Sequence, residues 1–459
     1  MGLNVKVGTN MDKSIFKKRS SKTKKPKDDF HSILMNASRA HSEGRLPEAE
    51  KGYLKVLKTK PAWGQVLNAL GTVYLDLSLS DKAQSAFKRA ANLKPPYLPA
   101  CYNLGRLQQR ENDHKSALTI YKRILTEQPD YGEVWNNLGI AYRETGDQDE
   151  AISCFQKAVR FTPEMAEAWN NLGVAQDECK MFEDSSKSYR KAIEIHPNYT
   201  SAHFNLGSSL QKLKQFKEAE EHYNKVLEIK PDDAAARFML QSLGTTSITP
   251  ETAPVEHVRR IFDQCAGTFE KTLVEDLEYK TPELLFNLVH PHINRESNIL
   301  DLGCGTGLGA RLYRPFAKRL TGVDVSSKML EKATEKKIYD ELAVFDVLQK
   351  WTFPQTFDLI YSSDVFVYFG NLDRIVESIS LHLTSGGIVA FSVEKLDAKN
   401  EEYRLYPSGR YAHSQDYIKT CLAKHGLHLV EEAESDIRKQ SGNQVKGLLI
   451  VAKKDECSE

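Results

Sequence analysis

Between residues 30 and 243 the apolar positions recur at helical spacing, and the whole pattern repeats every 34 residues. Prolines stand at 61, 95, 129, 163, 197 and 231. On the same ruler a small residue recurs at Ala49, Ala83, Ala117, Ala151, Ser185 and Ala219, and an aromatic at Tyr53, Phe87, Tyr121, Phe155, Tyr189 and Tyr223. A Leu-Gly pair recurs with its glycine at 71, 105, 139, 173 and 207. The spacing predicts six helix pairs. The small residue lets paired helices approach, the aromatic fills the gap to the next unit, and proline ends each second helix. Residues 232–243 repeat the first-helix pattern with no second helix and read as a C-terminal cap. Asn36 and Ala37 replace Leu-Gly in the first unit, which suits an N-terminal cap.

From residue 298 the grammar changes to short apolar runs alternating with helical patterns. Strands are expected at 298–302, 320–324, 342–345, 357–361, 386–393, 427–433 and 447–452. Helices are expected at 307–318, 326–337, 371–383 and 414–425, and earlier at 257–263, 269–277 and 282–289. Residues 244–255, with two prolines and no periodicity, read as a linker. Residues 1–29 hold almost nothing to bury and are expected to be disordered. The chain therefore divides into an arm (1–29), an all-α solenoid (30–243), a linker (244–255) and an α/β domain (256–455).

The 34-residue unit resembles the tetratricopeptide repeat (TPR). That resemblance implies a concave face, lined by first helices, that binds a protein or peptide. Asn103, Asn137, Asn171 and Asn205 share one concave position, where their amides could pair with the backbone of an extended peptide or merely hydrate the groove. The corresponding positions hold Ile140, Val174 and Ser208 where carboxylate-clamping TPR proteins carry asparagines and bases, which argues against a chaperone C-terminus as client.

Composition narrows the classes. No apolar run reaches the roughly 18 residues of a membrane helix, and the N-terminus lacks the apolar core of a secretory signal. Seven cysteines without a C-x-x-C suit a reducing, cytoplasmic setting and argue against a metal site. The net charge of +1 hides an asymmetry: residues 1–27 carry eight lysines, one arginine and one aspartate, so the rest is acidic on balance. That disfavours nucleic acid as partner of the folded part. The basic run 17–27 is either a nuclear-localisation or anionic-surface arm, or a solvated tail.

The chemistry concentrates at Asp301-Leu-Gly303-Cys-Gly305-Thr-Gly307, between an apolar run and a helical one, with Asp324 ending the next apolar run. Dinucleotide sites space their glycines as G-x-G-x-x-G, so the spacing here disfavours an NAD-dependent oxidoreductase. An acid, alternating glycines and a downstream acid resemble the first motif of class I S-adenosylmethionine (SAM) methyltransferases, which implies a Rossmann-like, seven-stranded domain. By that resemblance, Asp324 takes the ribose hydroxyls and Asp346 the adenine amino group, with the Val347 N–H facing the ring. Gly303, Gly305 and Gly307 line the loop under the methionine part, Asp301 steadies the loop and complements the ammonium, and Ser363 and Asp364 stand next to the methyl group. All acids lie at strand carboxyl ends, where open α/β sheets bind ligands.

The segment Phe262–Phe269 is either a lid over this site or a helix packed on the sheet edge. The Ser-Ser-Asp-Val-Phe-Val-Tyr run at 362–368 lacks the Asn/Asp-Pro-Pro-Tyr of amide and base methyltransferases. Acceptor contacts are sought among Glu394, Tyr403, Tyr406, Arg410, Tyr411 and His413, with His413 as candidate base and Tyr411 beside it. Two functions stay in view: a SAM-dependent methyltransferase whose TPR arm recruits a partner, and a TPR adaptor with a catalytically silent SAM-binding domain.

Overall fold

The computed structural model describes residues 30–455 apart from 245–248, 268, 272, 274–278, 399 and 441–442. The basic arm, part of the linker and most of the helix expected at 269–277 lie outside the described residues. Contacts divide the chain into two compact units, one ending at Asn112 and one beginning at Asp113.

The first unit holds α1 (Phe30–Ser42), α2 (Leu46–Thr59), α3 (Gly64–Asp76), α4 (Ser80–Ala91) and α5 (Leu98–Arg110). The second opens with α6 (His114–Glu127), α7 (Gly132–Thr145), α8 (Gln148–Phe161), α9 (Ala166–Glu178), α10 (Phe182–Ile195), α11 (Thr200–Lys212), α12 (Phe216–Ile229) and α13 (Ala234–Ser242). Within each unit the repeat rule holds at atomic detail. Ala49, Ala83, Ala117, Ala151, Ser185 and Ala219 have 0% exposure, so the paired helices meet there without a gap.

The recurrent aromatic does something different from what its spacing suggests. It covers the glycine of its own repeat instead of only bridging to the next. A Cβ on Gly71 would lie 2.4 Å from the Phe87 ring, and one on Gly207 would lie 2.8 Å from Tyr223. Leu-Gly therefore recurs because the ring needs the space. A second device was not visible in the pattern: Trp135, Trp169, His203 and Arg237, also 34 apart, each bond the proline carbonyl six residues back, at 129, 163, 197 and 231. Each satisfies an acceptor at a turn that a proline cannot extend into helix.

After α13 come α14 (Val255–Cys265), α15 (Phe269–Lys271) and α16 (Thr281–Val289). The sheet domain follows with β1 (Ser297–Leu302), α17 (Ala310–Tyr313), β2 (Ala317–Asp324), α18 (Ser327–Lys336), β3 (Glu341–Val344) and β4 (Phe357–Ser362). It ends with α19 (Asp373–His382), β5 (Leu383–Lys395), β6 (Tyr403–Leu405), β7 (Tyr411–His413), α20 (Gln415–Lys424), β8 (Leu427–Gln440) and β9 (Asn443–Lys454). The sheet runs β3-β2-β1-β4-β5, with β9 antiparallel to β5 and β8 to β9. The short β6–β7 hairpin extends it where the sequence reads only as a polar excursion. The helix expected over 307–318 shrinks to α17 and a 3-10 turn at Arg314–Phe316, because Pro315 cannot continue an α-helix.

The second unit does not break at the linker. Tyr223, Phe238 and Met239 of the last repeats share a core with Ala253, Phe369 and Tyr411. The Ala253 N–H donates to the Tyr368 carbonyl at 2.8 Å, and the Gly370 N–H to Glu251 at 2.7 Å. Lys328 of α18 reaches back to Glu144 of α7 at 2.9 Å.

Candidate cofactor and acceptor site

β1 lies between β2 and β4 and parallel to both, so a crevice opens beyond their carboxyl ends. The glycine loop turns there. Gly303 has φ +78°, and a Cβ on it would stand 2.2 Å from Val365. Gly303 and Cys304 both donate to the Val323 carbonyl, at 2.8 and 2.9 Å. Gly305, at φ +53°, would direct a Cβ only toward Phe269, 3.6 Å away. Its backbone is therefore bare to the cavity in front of it.

That cavity encloses about 1170 Å³, part of it open to solvent. Asp301, Gly303, Gly305, Asp324, Asp346, Val347, Ser363 and Asp364 all line it, as do Val258, Phe262, Phe269, Tyr279, Tyr368 and Arg410. Gly307 does not; it sits at φ +79° beneath the Tyr339 ring, 2.9 Å from a hypothetical Cβ. Phe262 and Phe269 meet edge to face at 5.9 Å on the cavity wall, the place of the lid alternative.

The acids are held by distinct partners. One oxygen of Asp301 accepts from the Tyr339 hydroxyl at 2.6 Å and the Tyr361 hydroxyl at 2.5 Å. Burial pushes its carboxyl up to about 7, against the pull of those two phenols and with a push from Asp324. Asp324 accepts from the Gly305 N–H at 2.9 Å and the Ser326 N–H at 2.8 Å. Burial raises its pKa too, opposed by the amides of Ser326, Gly305 and Val325. Asp346 accepts from the Leu348 N–H at 3.0 Å. Sequence reasoning missed both tyrosines: Tyr361 pairs with Asp301 in strand register, and Tyr339 arrives from the turn after α18.

Next to Ser363 lies a buried charge cluster. Arg438, 2% exposed, donates to both oxygens of Asp364 at 2.7 and 2.9 Å and also to Glu394. Arg410 stands 3.6 Å from Asp364 and 3.8 Å from Glu394. Arg438 comes from β8, far along the chain from β4, and its spacing gave no sign that it would meet Asp364.

Residues 274–432 match a family described as a methyltransferase domain. Residues 64–97, 100–164, 166–199 and 200–233 match tetratricopeptide repeats. The chain carries a methyltransferase domain behind tetratricopeptide repeats.

Among relatives, malonyl-[acyl-carrier protein] O-methyltransferase of Pectobacterium atrosepticum is 26% identical, over 39% of this chain and 71% of its own length. The probable S-adenosylmethionine-dependent methyltransferase CRG1 of Saccharomyces cerevisiae is 26% identical, over 39% of this chain and 62% of its own. The malonyl-[acyl-carrier protein] enzyme of Priestia megaterium is 32% identical, over 29% of this chain and 50% of its own. The N-methyltransferase NodS of Bradyrhizobium japonicum, solved with S-adenosyl-L-homocysteine, is 23% identical over 43% of this chain and 98% of that one, with a TM-score of 0.36. The TPR protein YrrB is 18% identical over 40% of this chain and 95% of that one, also with a TM-score of 0.36.

Two expectations for the methyltransferase domain need correction. His413 and Tyr411 lie on β7 with 0% exposure, and neither lines the cavity. The His413 ring contacts the Gly370 carbonyl at 3.1 Å, and burial lowers its pKa to about 4. The Tyr411 hydroxyl donates to the Pro250 carbonyl at 2.8 Å, and its ring packs 6.3 Å from Phe238 of α13. Tyr411 thus joins the sheet domain to the segment before it, while His413 packs inside the sheet domain against Tyr403 and Tyr417. The chain position of Tyr411 and His413 near Arg410 hid this, because β7 is a strand and adjacent side chains point to opposite faces.

The repeat asparagines are also engaged. Asn103 donates to Asn68 at 2.9 Å, Asn171 to Asn136 at 3.0 Å and Asn205 to Asn170 at 3.2 Å. Each amide N–H₂ thus has a partner in the preceding repeat; Asn137 is half-buried at the same place on α7. Among the described residues, Asp373, Cys421 and His425 are the one cluster of metal-ligating types. Lys424 already sits on Asp373 at 2.8 Å, and burial pushes the Cys421 thiol up to about 12, so the set suits an ion pair. No described helix is long and apolar enough to cross a membrane.

Proposed function

We propose that this chain transfers a methyl group from SAM to an acceptor, and that its repeats recruit the protein or peptide that carries or presents that acceptor. The carrying observation is that Asp301, Asp324 and Asp346, at the ends of adjacent strands, border one cavity with the bare Gly305 backbone. The names of the relatives support the same donor.

The residues fit that donor chemically. The two Asp324 oxygens accept from the Gly305 and Ser326 N–H groups, and a carboxylate has about four lone-pair sites, so acceptor capacity is left for a ribose hydroxyl. Asp346 and the Val347 N–H offer an acceptor and a donor for an adenine edge. Asp301, poised near neutrality, complements an ammonium. Phe262, Phe269 and Val258 exclude water from the apolar wall. When bound, SAM supplies an electrophilic methyl carbon. The protein's part is to orient the acceptor behind it, which is where positioning contributes most.

The test is thermal stability of the full chain with SAM, S-adenosylhomocysteine or NAD. Stabilisation by the first two and not by NAD is expected, and Asp324→Ala should remove it while far-UV helicity persists. Unchanged affinity in Asp324→Ala would overturn the ribose assignment. Stabilisation without transfer of label to any lysate component would favour the silent-adaptor reading.

A further inference from the structure

We infer, resting on the methyl-transfer reading above, that the acceptor presents an ionised carboxylate and that Arg410 is the residue that holds it. Three observations meet on one wall of the cavity. First, Arg438 already donates to both Asp364 and Glu394, whereas Arg410 stays beyond hydrogen-bond distance of either, at 3.6 and 3.8 Å. Its Nη1 is buried with no acceptor. The neighbouring Ser363 Oγ is also buried without a partner, and both residues line the cavity. A buried guanidinium donor without an acceptor is costly, and a ligand oxygen relieves that cost.

Second, the four charges of Asp364, Glu394, Arg410 and Arg438 cancel. The wall therefore lacks the excess negative charge that would hold an ammonium acceptor. What it offers is the Arg410 Nη1, a guanidinium donor with no hydrogen bond of its own, and a guanidinium suits a carboxylate.

Third, an acceptor that starts protonated needs a base, and the wall supplies none that is free. The Asp364 and Glu394 carboxylates are taken up by Arg438. Burial raises the Tyr279 phenol well above its usual range, and His413 lies off the cavity. A carboxylate is already ionised at neutral pH. Its oxygen forms the new O–C bond as the methyl S–C bond breaks, the sulfur keeps the electron pair, and no proton moves.

The experiment uses the full chain saturated with S-adenosylhomocysteine and titrated with hexanoate, hexanamide and hexylamine, followed by thermal shift and calorimetry. Hexanoate should bind, and the two analogues should bind about 10-fold or more weaker. Arg410→Met should weaken hexanoate by about 10–100-fold, the range for a charge-assisted hydrogen bond, and leave S-adenosylhomocysteine affinity unchanged. With tritiated SAM, label placed on hexanoate should be released as methanol by mild base. Equal binding of hexylamine or hexanamide, undiminished hexanoate binding in Arg410→Met, or base-stable label would overturn the assignment. If Arg410→Met fails to fold, the ranking of the three probes on the native chain still decides. Failure of the native chain to bind S-adenosylhomocysteine at all would instead sink the underlying methyl-transfer reading.

Discussion

The repeats and the sheet domain both bury polar side chains, but they arrange them in opposite ways. In the repeats, the recurrent polar positions meet partners that their own period supplies: asparagine to asparagine 35 residues back, or a ring nitrogen to the proline carbonyl six residues back. In the sheet domain, Asp301, Asp324, Asp364 and Arg410 line one cavity from distant parts of the chain, and Glu394 and Arg438 join them through the ion pair of Arg438 with Asp364. Their side-chain partners lie far off in sequence: 38 residues for Asp301 with Tyr339, 44 for Glu394 with Arg438 and 74 for Asp364 with Arg438. A local, repeated network makes a uniform scaffold. A non-local one leaves donors and charges over, and leftover polarity is what a ligand site needs.

The largest expected effect comes from removing a non-local partner. Arg438→Met leaves Asp364 and Glu394 buried without their main cation and should cost about 3–5 kcal/mol by urea unfolding. A loss no bigger than that of a repeat asparagine would erase the contrast.

Asp301 gives a smaller, pH-dependent effect. Its folded pKa, about 7, lies above the unfolded value, so without ligand its contribution to stability falls as pH rises from about 4 to about 7. A bound ammonium favours the ionised form, so affinity for S-adenosylhomocysteine should move the other way. At pH 6 roughly a tenth of the carboxylate is ionised, and calorimetry should show binding about 10-fold weaker than at pH 8. Asp301→Asn should flatten that profile, and an unflattened profile would move the titrating group elsewhere.

Asn171→Ala should have the smallest effect. It removes one amide–amide bond at 3.0 Å between half-buried groups and should cost about 1 kcal/mol. A similar loss of partner capture would keep the groove role, whereas an unchanged pull-down profile would leave these asparagines as internal struts.

The helical half was legible because its information is periodic: one register predicts every small residue, aromatic and glycine. The residues of the glycine loop and the strand-end acids were legible because a parallel sheet delivers its strand ends to one edge. What the chain alone could not disclose was orientation and partnership. His413 and Tyr411 carry suitable chemistry and stand near Arg410, yet β7 buries Tyr411 against Pro250 and α13, and His413 against Gly370 and Tyr417. Arg438 stands 74 residues from Asp364 in sequence, yet β8 brings it there.

Sequence by itself determined the repeat architecture, the alternation of strands and helices and the acids at the strand ends, because these follow from spacing along the chain. Only the tertiary structure decided which charges are satisfied and which donor is left over. Those depend on strands that pair across many tens of residues, and on a core that runs from the last repeats into the sheet.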